Sequence, residues 1–251
     1  MKRRDLMRGF IALGGCAVCA GLARASEGAH WEYKGEHGPD HWADLDKANA
    51  ACSVGGQQSP INITSAIKAE VDPITVSWKK SAGKMVNNGH TIQVNMPEGS
   101  SITRDGKVYD LLQFHFHAPS EHQVDGKAYP MEVHFVHKNK KDGDLAVLGI
   151  FIAPEQKHDV FSMLAKNFPQ KEGAEVQLDA FSASDFLPKG LEYWTYEGSL
   201  TTPPCSEVVT WMVARQPISV EAVSIQAFTN LYPNNARPVL PLNRRLVLMS
   251  K

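Results

Sequence analysis

Gln113-Phe114-His115-Phe116-His117 is the stretch that best predicts the fold of this chain. Apolar and polar side chains alternate through it, and in a β-strand alternate side chains point to opposite faces of the sheet. The two phenylalanines therefore face one side, and His115 and His117 face the other. This alternation predicts a strand with one face in a core and one face available for chemistry.

A second stretch, Glu132-Val133-His134-Phe135-Val136, has the same alternation. An adjacent strand would place His134 beside His115 and His117. Three histidines with one open position are typical of a catalytic zinc site, whereas a structural zinc site closes all four positions with protein groups. The alternative is an alternating strand that merely exposes two histidines.

Short alternating or β-branched runs continue on both sides of these stretches. They predict strands over 74–78, 91–95, 109–117, 132–138, 145–152, 194–196 and 208–214. Asp142-Gly143 predicts a hairpin, and helical spacing occurs only over 158–167 and 219–231. We therefore predict a mainly β fold, a single domain on a large, twisted, mostly antiparallel mixed sheet with a few short peripheral helices.

Composition agrees with one ordinary globular domain. The chain has 251 residues, 43% of them hydrophobic, and its 19 glycines and 15 prolines are scattered, which excludes collagen-like and wholly disordered classes. The formal net charge is −1. This balance gives no electrostatic reason to expect nucleic acid or an anionic membrane as a partner.

The first 25 residues predict a cleaved signal peptide. A basic start precedes a small, apolar run of about 14 residues, shorter than the roughly 20 that span a bilayer, so we predict no membrane span. Arg3-Arg4 resembles an imperfect twin-arginine export signal, and a lipid anchor on Cys16 is the minority alternative. Cleavage before Ser26 leaves 26–251 as the folded domain, with 21 basic and 26 acidic residues and a net charge of −5.

Export changes the interpretation of the four cysteines. Cys16 and Cys19 leave with the signal peptide, so Cys52 and Cys205 remain in an oxidising compartment. We predict a disulfide between them, and two unrelated buried thiols are the alternative. A bacterial periplasm is the predicted location, with secretion or lipid anchoring as the alternatives.

Further segments, taken together, resemble the alpha-class carbonic anhydrase family over essentially the whole of 26–251. They occur in family order with family-like spacing. The segments are His30-Trp31-x-Tyr33, Gly38-Pro39-x-His41-Trp42, Gln58-Ser59-Pro60-Ile61-Asn62-Ile63, Asn87-Asn88-Gly89-His90, Gln113 to His117, Ser120-Glu121-His122, Glu132 to His137, Ala146 to Ile150, Tyr196 to Pro204, Trp211 and Asn235-Ala236-Arg237-Pro238.

The resemblance implies an enzyme that hydrates carbon dioxide reversibly to bicarbonate. It assigns Zn2+ to His115, His117 and His134, with zinc-bound hydroxide as the nucleophile. It also implies that Thr201 accepts the hydroxide proton and donates its own proton to Glu121, since a carboxylate accepts hydrogen bonds. Cys52 and Cys205 match a pair that is bridged in many exported members.

The remaining assignments implied by the resemblance concern ligand orientation, proton release and substrate binding. Ligand histidines generally donate their second N–H to an acceptor, and protons leave through a group that titrates near pH 7. The implied orienting residues are Gln113 for His115, Glu132 for His134 and a backbone carbonyl for His117, with His122 ordering the same buried network. The implied proton shuttle is His90, with Tyr33, Asn88 and Gln93 ordering waters, and Gln93 departs from the family's usual Asn. The implied carbon dioxide pocket comprises Val136, Val147, Leu200 and Trp211, with Thr202 at its polar edge.

Two other functions remain as alternatives. One is a binding module that keeps the fold without catalysis. The presence of all three zinc histidines argues against it. The other is a zinc hydrolase, although the chain has no His-Glu-x-x-His sequence. We also expect sulfonamide and anion inhibitors to bind, and either a monomer or a homodimer.

Overall fold

A computed structural model describes residues 30–250. The predicted signal peptide over 1–25 lies outside the described residues. Within 30–250, no helix is long and apolar enough to cross a membrane.

The described part of the chain is dominated by strands. The strands are β1 (Asn62–Ile63), β2 (Ile67–Lys68), β3 (Thr75–Ser77), β4 (Ser81–Asn87), β5 (Ile92–Asn95), β6 (Ser101–Arg104), β7 (Lys107–His117), β8 (Gln123–Val124), β9 (Lys127–Ala128), β10 (Met131–Lys138), β11 (Leu145–Pro154), β12 (Glu175–Phe181), β13 (Tyr193–Gly198), β14 (Val209–Ala214), β15 (Ile218–Val220) and β16 (Leu248–Met249).

The helices are short and lie between or before the strands. The α-helices are α1 (Trp42–Leu45), α2 (Ala51–Val54), α3 (Asp159–Ala165) and α4 (Ala222–Thr229). Turns of 3-10 helix cover Gly35–His37, Pro39–His41, Lys47–Asn49 and Ala183–Phe186.

Among the described residues, 13 strands form one sheet whose main path runs β12-β4-β5-β7-β10-β11-β14-β13-β16-β2. β6 pairs with β7 and β3, and β15 pairs with β11. The pairs of β11 with β14 and β15, and of β16 with β2, are parallel, and the others are antiparallel. The predicted mostly antiparallel mixed sheet is confirmed, with β7 and β10 in its interior.

The alternation in β7 and β10 divides a core face from a polar face. Phe114, Phe116 and Phe135 are completely buried, and they pack with Phe161 of α3 and Phe186 of the last 3-10 turn. Burying each such ring contributes about 1.5–3 kcal/mol. The large core on this side fixes the orientation of both strands, so the histidines between the phenylalanines must face the other side.

All seven predicted strand regions contain strands, and both predicted helical regions contain helices. The hairpin at Asp142-Gly143 joins β10 to β11, and Gly143 has φ of 82°, a value that favours glycine. The start of the second predicted helix was wrong. Residues 218–220 form β15 beside β11, and Glu221 is still extended before α4 begins.

Three longer strands were missed by the sequence analysis: β4, β6 and β12. β4 and β12 pair with each other at one end of the sheet, where exposed residues such as Lys84 and Glu175 interrupt the apolar pattern and form a 2.9 Å ion pair. Such strands are only half-buried, so their sequence lacks the long β-branched runs that mark interior strands.

Candidate metal and active site

Antiparallel pairing of β7 with β10 assembles three histidines on one face of the sheet. His134 lies directly opposite His115, and Glu132 lies opposite His117. His115 and His117 are two residues apart, so their side chains share this face. One ring nitrogen from each of the three histidines lies within 4.8 Å of the others.

The second nitrogen of each ring contacts a separate hydrogen-bond acceptor. This arrangement fixes which nitrogen faces the shared space between the rings. The contacts are His115 Nδ1 to Gln113 Oε1 at 2.8 Å, His117 Nδ1 to the carbonyl oxygen of Asn235 at 2.7 Å, and His134 Nε2 to Glu132 Oε1 at 2.9 Å.

The Glu132 carboxylate is the centre of a buried network behind His134. Its Oε1 also lies 2.8 Å from His122 Nδ1, and its Oε2 accepts the backbone N–H groups of Glu121 and His122. His122 Nε2 lies 2.7 Å from the hydroxyl of Tyr196, which donates to Ser59 Oγ. The imidazole of His134 is therefore held by a carboxylate that is itself fully bonded.

Burial and charge set the protonation of this cluster. Burial lowers the pKa of His115 well below its ordinary value, and His117 and His134 lower it further by like-charge repulsion. Burial alone would raise the pKa of Glu132, but its contacts with His122 and His134 outweigh burial and hold that pKa well below its usual range. Burial would lower the pKa of His134, but the Glu132 and Glu121 carboxylates outweigh burial and raise it above its ordinary value. Histidine binds a metal as neutral imidazole, so a metal ion bound here would displace that proton.

Glu121 lies beside the cluster and is almost completely buried. Its Oε1 accepts the backbone N–H of Arg237 at 2.9 Å, and its Oε2 lies 3.5 Å from His117 Nε2 and 3.8 Å from His134 Nδ1. Thr201 is also buried, but within 30–250 no hydrogen bond joins it to Glu121. Glu121 Oε2 has no hydrogen-bond partner among these residues, so it is a free acceptor facing the site.

The three-histidine cluster fits a zinc ion. His117 Nε2 is buried without a hydrogen-bond partner among residues 30–250, a costly state that a coordinated cation relieves. Three imidazole nitrogens match the preference of zinc, and the cysteines of this part of the chain are bonded to each other. His122, Glu132 and His134 also lie close together, but Glu132 Oε1 is already hydrogen-bonded to His122 Nδ1 and forms a 2.9 Å ion pair with His134 Nε2.

A small cavity of about 120 Å³ extends from this cluster toward the protein surface. It brings together the predicted shuttle, the predicted water-ordering residues and two ligand candidates. Its lining comprises Trp31, Tyr33, Asn88, His90, Thr91, Gln93, Gln113, His115, His117 and Thr202.

His90 is half-buried at the outer end of this cavity, on the turn between β4 and β5. Asn88 Oδ1 accepts the backbone N–H groups of His90 and Thr91, at 3.0 and 2.9 Å, and Gly89 has φ of 85°. Asn88 therefore shapes the turn through its oxygen. Gln93 donates to Asn95 Oδ1 at 2.7 Å, so one of its amide hydrogens is already engaged.

The predicted apolar pocket residues belong to one cluster on the same side of the sheet. Val136 in β10 lies opposite Val147 in β11, which in turn lies beside Trp211 in β14. Leu200 packs against this cluster, and the ring of Trp211 meets that of His134 edge to face at 4.9 Å. An apolar wall thus adjoins a ligand candidate.

The disulfide predicted between Cys52 and Cys205 is present, and it joins α2 to the loop after β13. The backbone N–H of Cys205 donates to the carbonyl of Thr202 at 2.9 Å, and Gln58 Nε2 donates to the carbonyl of Cys205 at 3.0 Å. The loop that carries Thr201 is therefore tied to the N-terminal part of the domain.

A larger cavity, of about 500 Å³, lies elsewhere and is lined by residues such as Val71, Ile74 and Tyr193. It contains none of the clustered histidines. Polar groups that converge on a shared point identify a reactive site better than volume does, so we assign the chemistry to the smaller cavity.

Sequence reasoning missed specific roles for Trp31, Asn235 and Tyr196. Each occurs in a segment that carried the family resemblance, but no role was drawn from it. Trp31 stacks on His90, with ring centroids 3.7 Å apart, and Asn235 supplies the carbonyl that holds His117. The position of Asn235 in the Asn235-Ala236-Arg237-Pro238 segment was the available signal.

The fold and site define a mainly β protein with a three-histidine cluster that could hold a metal ion beside an apolar wall. The profile of the eukaryotic-type carbonic anhydrase family matches residues 37–251. A carbonic anhydrase from Nostoc sp. is 40% identical over 258 residues, which cover 99% of this chain and 97% of that protein.

Solved structures agree with the profile. The alpha-carbonic anhydrase from Thermovibrio ammonificans, in complex with the inhibitor sulfanilamide, superposes with a TM-score of 0.86 at 42% identity and covers 89% of this chain and 100% of its own. Carbonic anhydrase Cah3 from Chlamydomonas reinhardtii, in complex with acetazolamide, has a TM-score of 0.78 at 38% identity over 88% of this chain and 99% of its own. The chain belongs to the alpha-class carbonic anhydrase family, which confirms the resemblance and implies an enzyme that hydrates carbon dioxide.

Proposed function

We propose that the protein catalyses the reversible, Zn2+-dependent hydration of carbon dioxide to bicarbonate and a proton. His115, His117 and His134 would hold the ion. The observation that carries the proposal is the buried, unpartnered Nε2 of His117 within 4.8 Å of a nitrogen from each of the other two rings. When bound, Zn2+ supplies Lewis acidity that makes water nucleophilic near neutral pH, an established property of carbonic anhydrases.

Gln113, Glu132 and the Asn235 carbonyl serve to orient the three imidazoles. Each lies 2.7–2.9 Å from the ring nitrogen that faces away from the shared space, so the other three nitrogens converge without a rearrangement of the strands. His122 supports Glu132 in this role, because it shares the same carboxylate oxygen with His134.

Thr201 and Glu121 serve to orient the attacking oxygen. Glu121 Oε2 is a buried acceptor with no partner among residues 30–250, so it is available to the Thr201 hydroxyl. A threonine that donates to Glu121 can only accept from the nucleophile, which turns a lone pair toward the substrate. Carbon dioxide, which is apolar, would lie against Val136, Val147, Leu200 and Trp211, with Thr202 at the polar edge.

His90 serves to carry the released proton to solvent. It shares one cavity with His115 and His117, so a short chain of waters ordered by Tyr33, Asn88 and Gln93 can link the reaction centre to its ring. Burial lowers the pKa of His90, and nearby His30 lowers it further, so the ring is neutral and ready to accept a proton near pH 7.

Stopped-flow hydration of carbon dioxide by the purified, disulfide-bonded protein tests the proposal. Zinc-loaded protein should hydrate carbon dioxide rapidly, chelation should abolish the activity, and added Zn2+ should restore it. Loss of hydration in a folded, zinc-loaded His117→Ala variant would agree with the assignment. If folded, zinc-loaded wild type gave no hydration above buffer, catalysis would be excluded and a zinc-containing binding module would replace it.

Inhibition and location are also proposed. Relatives were solved with sulfanilamide and acetazolamide, so we propose that sulfonamides and small anions bind this site as well. The disulfide between Cys52 and Cys205 supports export to an oxidising compartment such as the periplasm, because such bonds are rare in reducing cytosol.

A further inference from the structure

Asn235 lies at the contact between the strand that carries His117 and the turn that carries His90. It is 1% exposed and follows α4 in a segment without regular structure. Its backbone N–H donates to the carbonyl of Ala118 at 3.0 Å, and its own carbonyl accepts from His117 at 2.7 Å. The backbone of this one residue therefore holds the end of β7.

The side chain of Asn235 makes three further hydrogen bonds. Its Oδ1 accepts the backbone N–H of Ala118 at 2.8 Å. Its Nδ2 donates one hydrogen to the carbonyl of Phe116 at 2.9 Å and the other to the carbonyl of His90 at 3.0 Å. Every polar group of Asn235 is thus bonded, and only an amide supplies one acceptor and two donors in this geometry.

The bond to His90 links two parts of the site that are otherwise on separate elements. His90 belongs to the turn between β4 and β5, whereas Phe116 and His117 end β7. Thr91 adds a second contact between the same elements, because its hydroxyl donates to the carbonyl of Phe116 at 2.5 Å. The Phe116 carbonyl therefore receives bonds from both the turn and Asn235.

We propose that Asn235 is a positioning residue that holds the backbone of His90 at a fixed distance from His117, through its Nδ2 bonds to the carbonyls of His90 and Phe116. It acts through other residues and touches neither substrate nor metal. The proposal rests on the proposed function, in which His90 carries the proton. Proton transfer over a short water chain requires a fixed distance between the His90 ring and the reaction centre. A shift of the ring by about 1 Å can therefore reduce the rate of proton transfer by up to about a hundredfold.

Asn235→Asp is the discriminating variant. It preserves size, the Oδ1 acceptor and the backbone carbonyl that holds His117, but it replaces both N–H donors with an oxygen that repels the two carbonyls. We expect kcat in a buffer that carries protons poorly to fall by about tenfold or more, a larger fold-change than the accompanying fall in kcat/KM for hydration. High imidazole concentrations should restore kcat, because the buffer replaces the shuttle.

Asn49→Asp is the matched control. Asn49 is also buried and donates through Nδ2 to a backbone carbonyl, that of Trp42 at 3.1 Å, but within 30–250 no hydrogen bond joins it to His90 or to β7. This variant should lose stability without changing the ratio of kcat to kcat/KM. A purely structural role of Asn235 would lower both parameters together in Asn235→Asp, without rescue by imidazole, and that result would overturn the proposal.

Nuclear magnetic resonance separates this proposal from the proposed function, and it needs no activity. In 15N-labelled wild type, the Nδ2 hydrogens of Asn235 should exchange slowly with water, with or without zinc. The backbone amide of His90 should show faster exchange in Asn235→Asp than in wild type. Rapid exchange of the Asn235 Nδ2 hydrogens in the wild type would overturn the positioning role, even if the enzyme were inactive. An exchange rate of the His90 backbone amide that was the same in variant and wild type would overturn it as well.

Discussion

The imidazoles of His30 and His90 stack with ring centroids 5.4 Å apart and planes 26° from parallel. Trp31 stacks on His90 at 3.7 Å, so the ring of the proposed shuttle has close aromatic neighbours. The pKa of His90 is lowered mainly by burial and then by repulsion from the neighbouring His30. His30, the residue preceding Trp31, thus contributes to the lowered pKa of the proposed shuttle.

Replacement of His30 should raise the pKa of His90. His30→Gln removes the repelling imidazole and leaves the burial by Trp31 in place, so the pKa of His90 should rise but stay below the ordinary value of 6.5. Titration of the His90 ring by nuclear magnetic resonance measures this pKa in wild type and variant. His41→Gln, which removes an exposed histidine elsewhere, is the control. A pKa of His90 that stayed the same or fell would show that His30 does not act by repulsion.

The Glu132 carboxylate should control metal affinity. Glu132→Gln replaces an ionised acceptor shared by His122 and His134 with a weaker, neutral one, and affinity for Zn2+ should fall by about 10- to 100-fold. Competition with a chromophoric chelator at pH 7 measures this change. Glu197→Gln is the control, because the Glu197 carboxylate accepts from Thr210 on the surface. Equal zinc affinity in wild type and Glu132→Gln would refute the role of the carboxylate.

His137 should make the fold sensitive to acid. It is fully buried on the core side of β10, accepts from Trp78 Nε1 at 3.2 Å and lies 3.3 Å from the carbonyl of Ala146 through Nδ1. Burial lowers its pKa from 6.5 to about 4, despite smaller opposing effects from backbone carbonyls and Asp110. The unfolded chain therefore binds a proton at a pH where the folded chain does not.

The stability contributed by neutral His137 is complete above pH 6.5 and is lost as the pH falls to about 4. The loss amounts to about 3 kcal/mol of unfolding free energy. Urea denaturation of wild type and His137→Gln at pH 7, 5.5 and 4.5 measures this loss. Glutamine is chosen because it still offers an acceptor to Trp78 but does not titrate. The difference in unfolding free energy between the two proteins should shrink or change sign toward low pH. A difference that stayed constant across the three pH values would contradict the assignment.

Removal of the disulfide should loosen the Thr201 loop. The bond closes a sequence separation of 153 residues, and the chain-entropy model assigns such a closure about 5 kcal/mol. The double variant Cys52→Ser with Cys205→Ser should unfold at lower denaturant, and amide exchange over 199–206 should accelerate before global unfolding. If thermal midpoint, exchange and activity all matched the wild type, the disulfide would have no role in holding the loop.

The interior of the fold was predictable because its strands follow a simple rule. In β7 and β10, phenylalanine or valine alternates with histidine or glutamate, so one face must be buried and the other polar. The same rule predicted that His134 would lie beside His115. β4 and β12 escaped prediction because they lie at one end of the sheet, where packing does not demand a continuous apolar pattern.

The outer contacts of the site were less predictable from sequence. Gln113 and Glu132 lie two residues from the histidines they hold, which a strand period shows directly. His117 instead contacts the backbone carbonyl of Asn235, 118 residues away. Every residue carries a carbonyl, so no side-chain pattern indicates which one will serve, and only the tertiary structure brings this segment to the end of β7.

The position of Asn235 and Arg237 in the chain has a consequence for biosynthesis. The three histidines are translated about 100 residues before the segment that holds His117 and Glu121. A ribosome adds about 5–20 residues each second, so for several seconds the histidines exist without these partners. Stable metal capture should therefore wait until the segment with Asn235 and Arg237 has emerged from the ribosome.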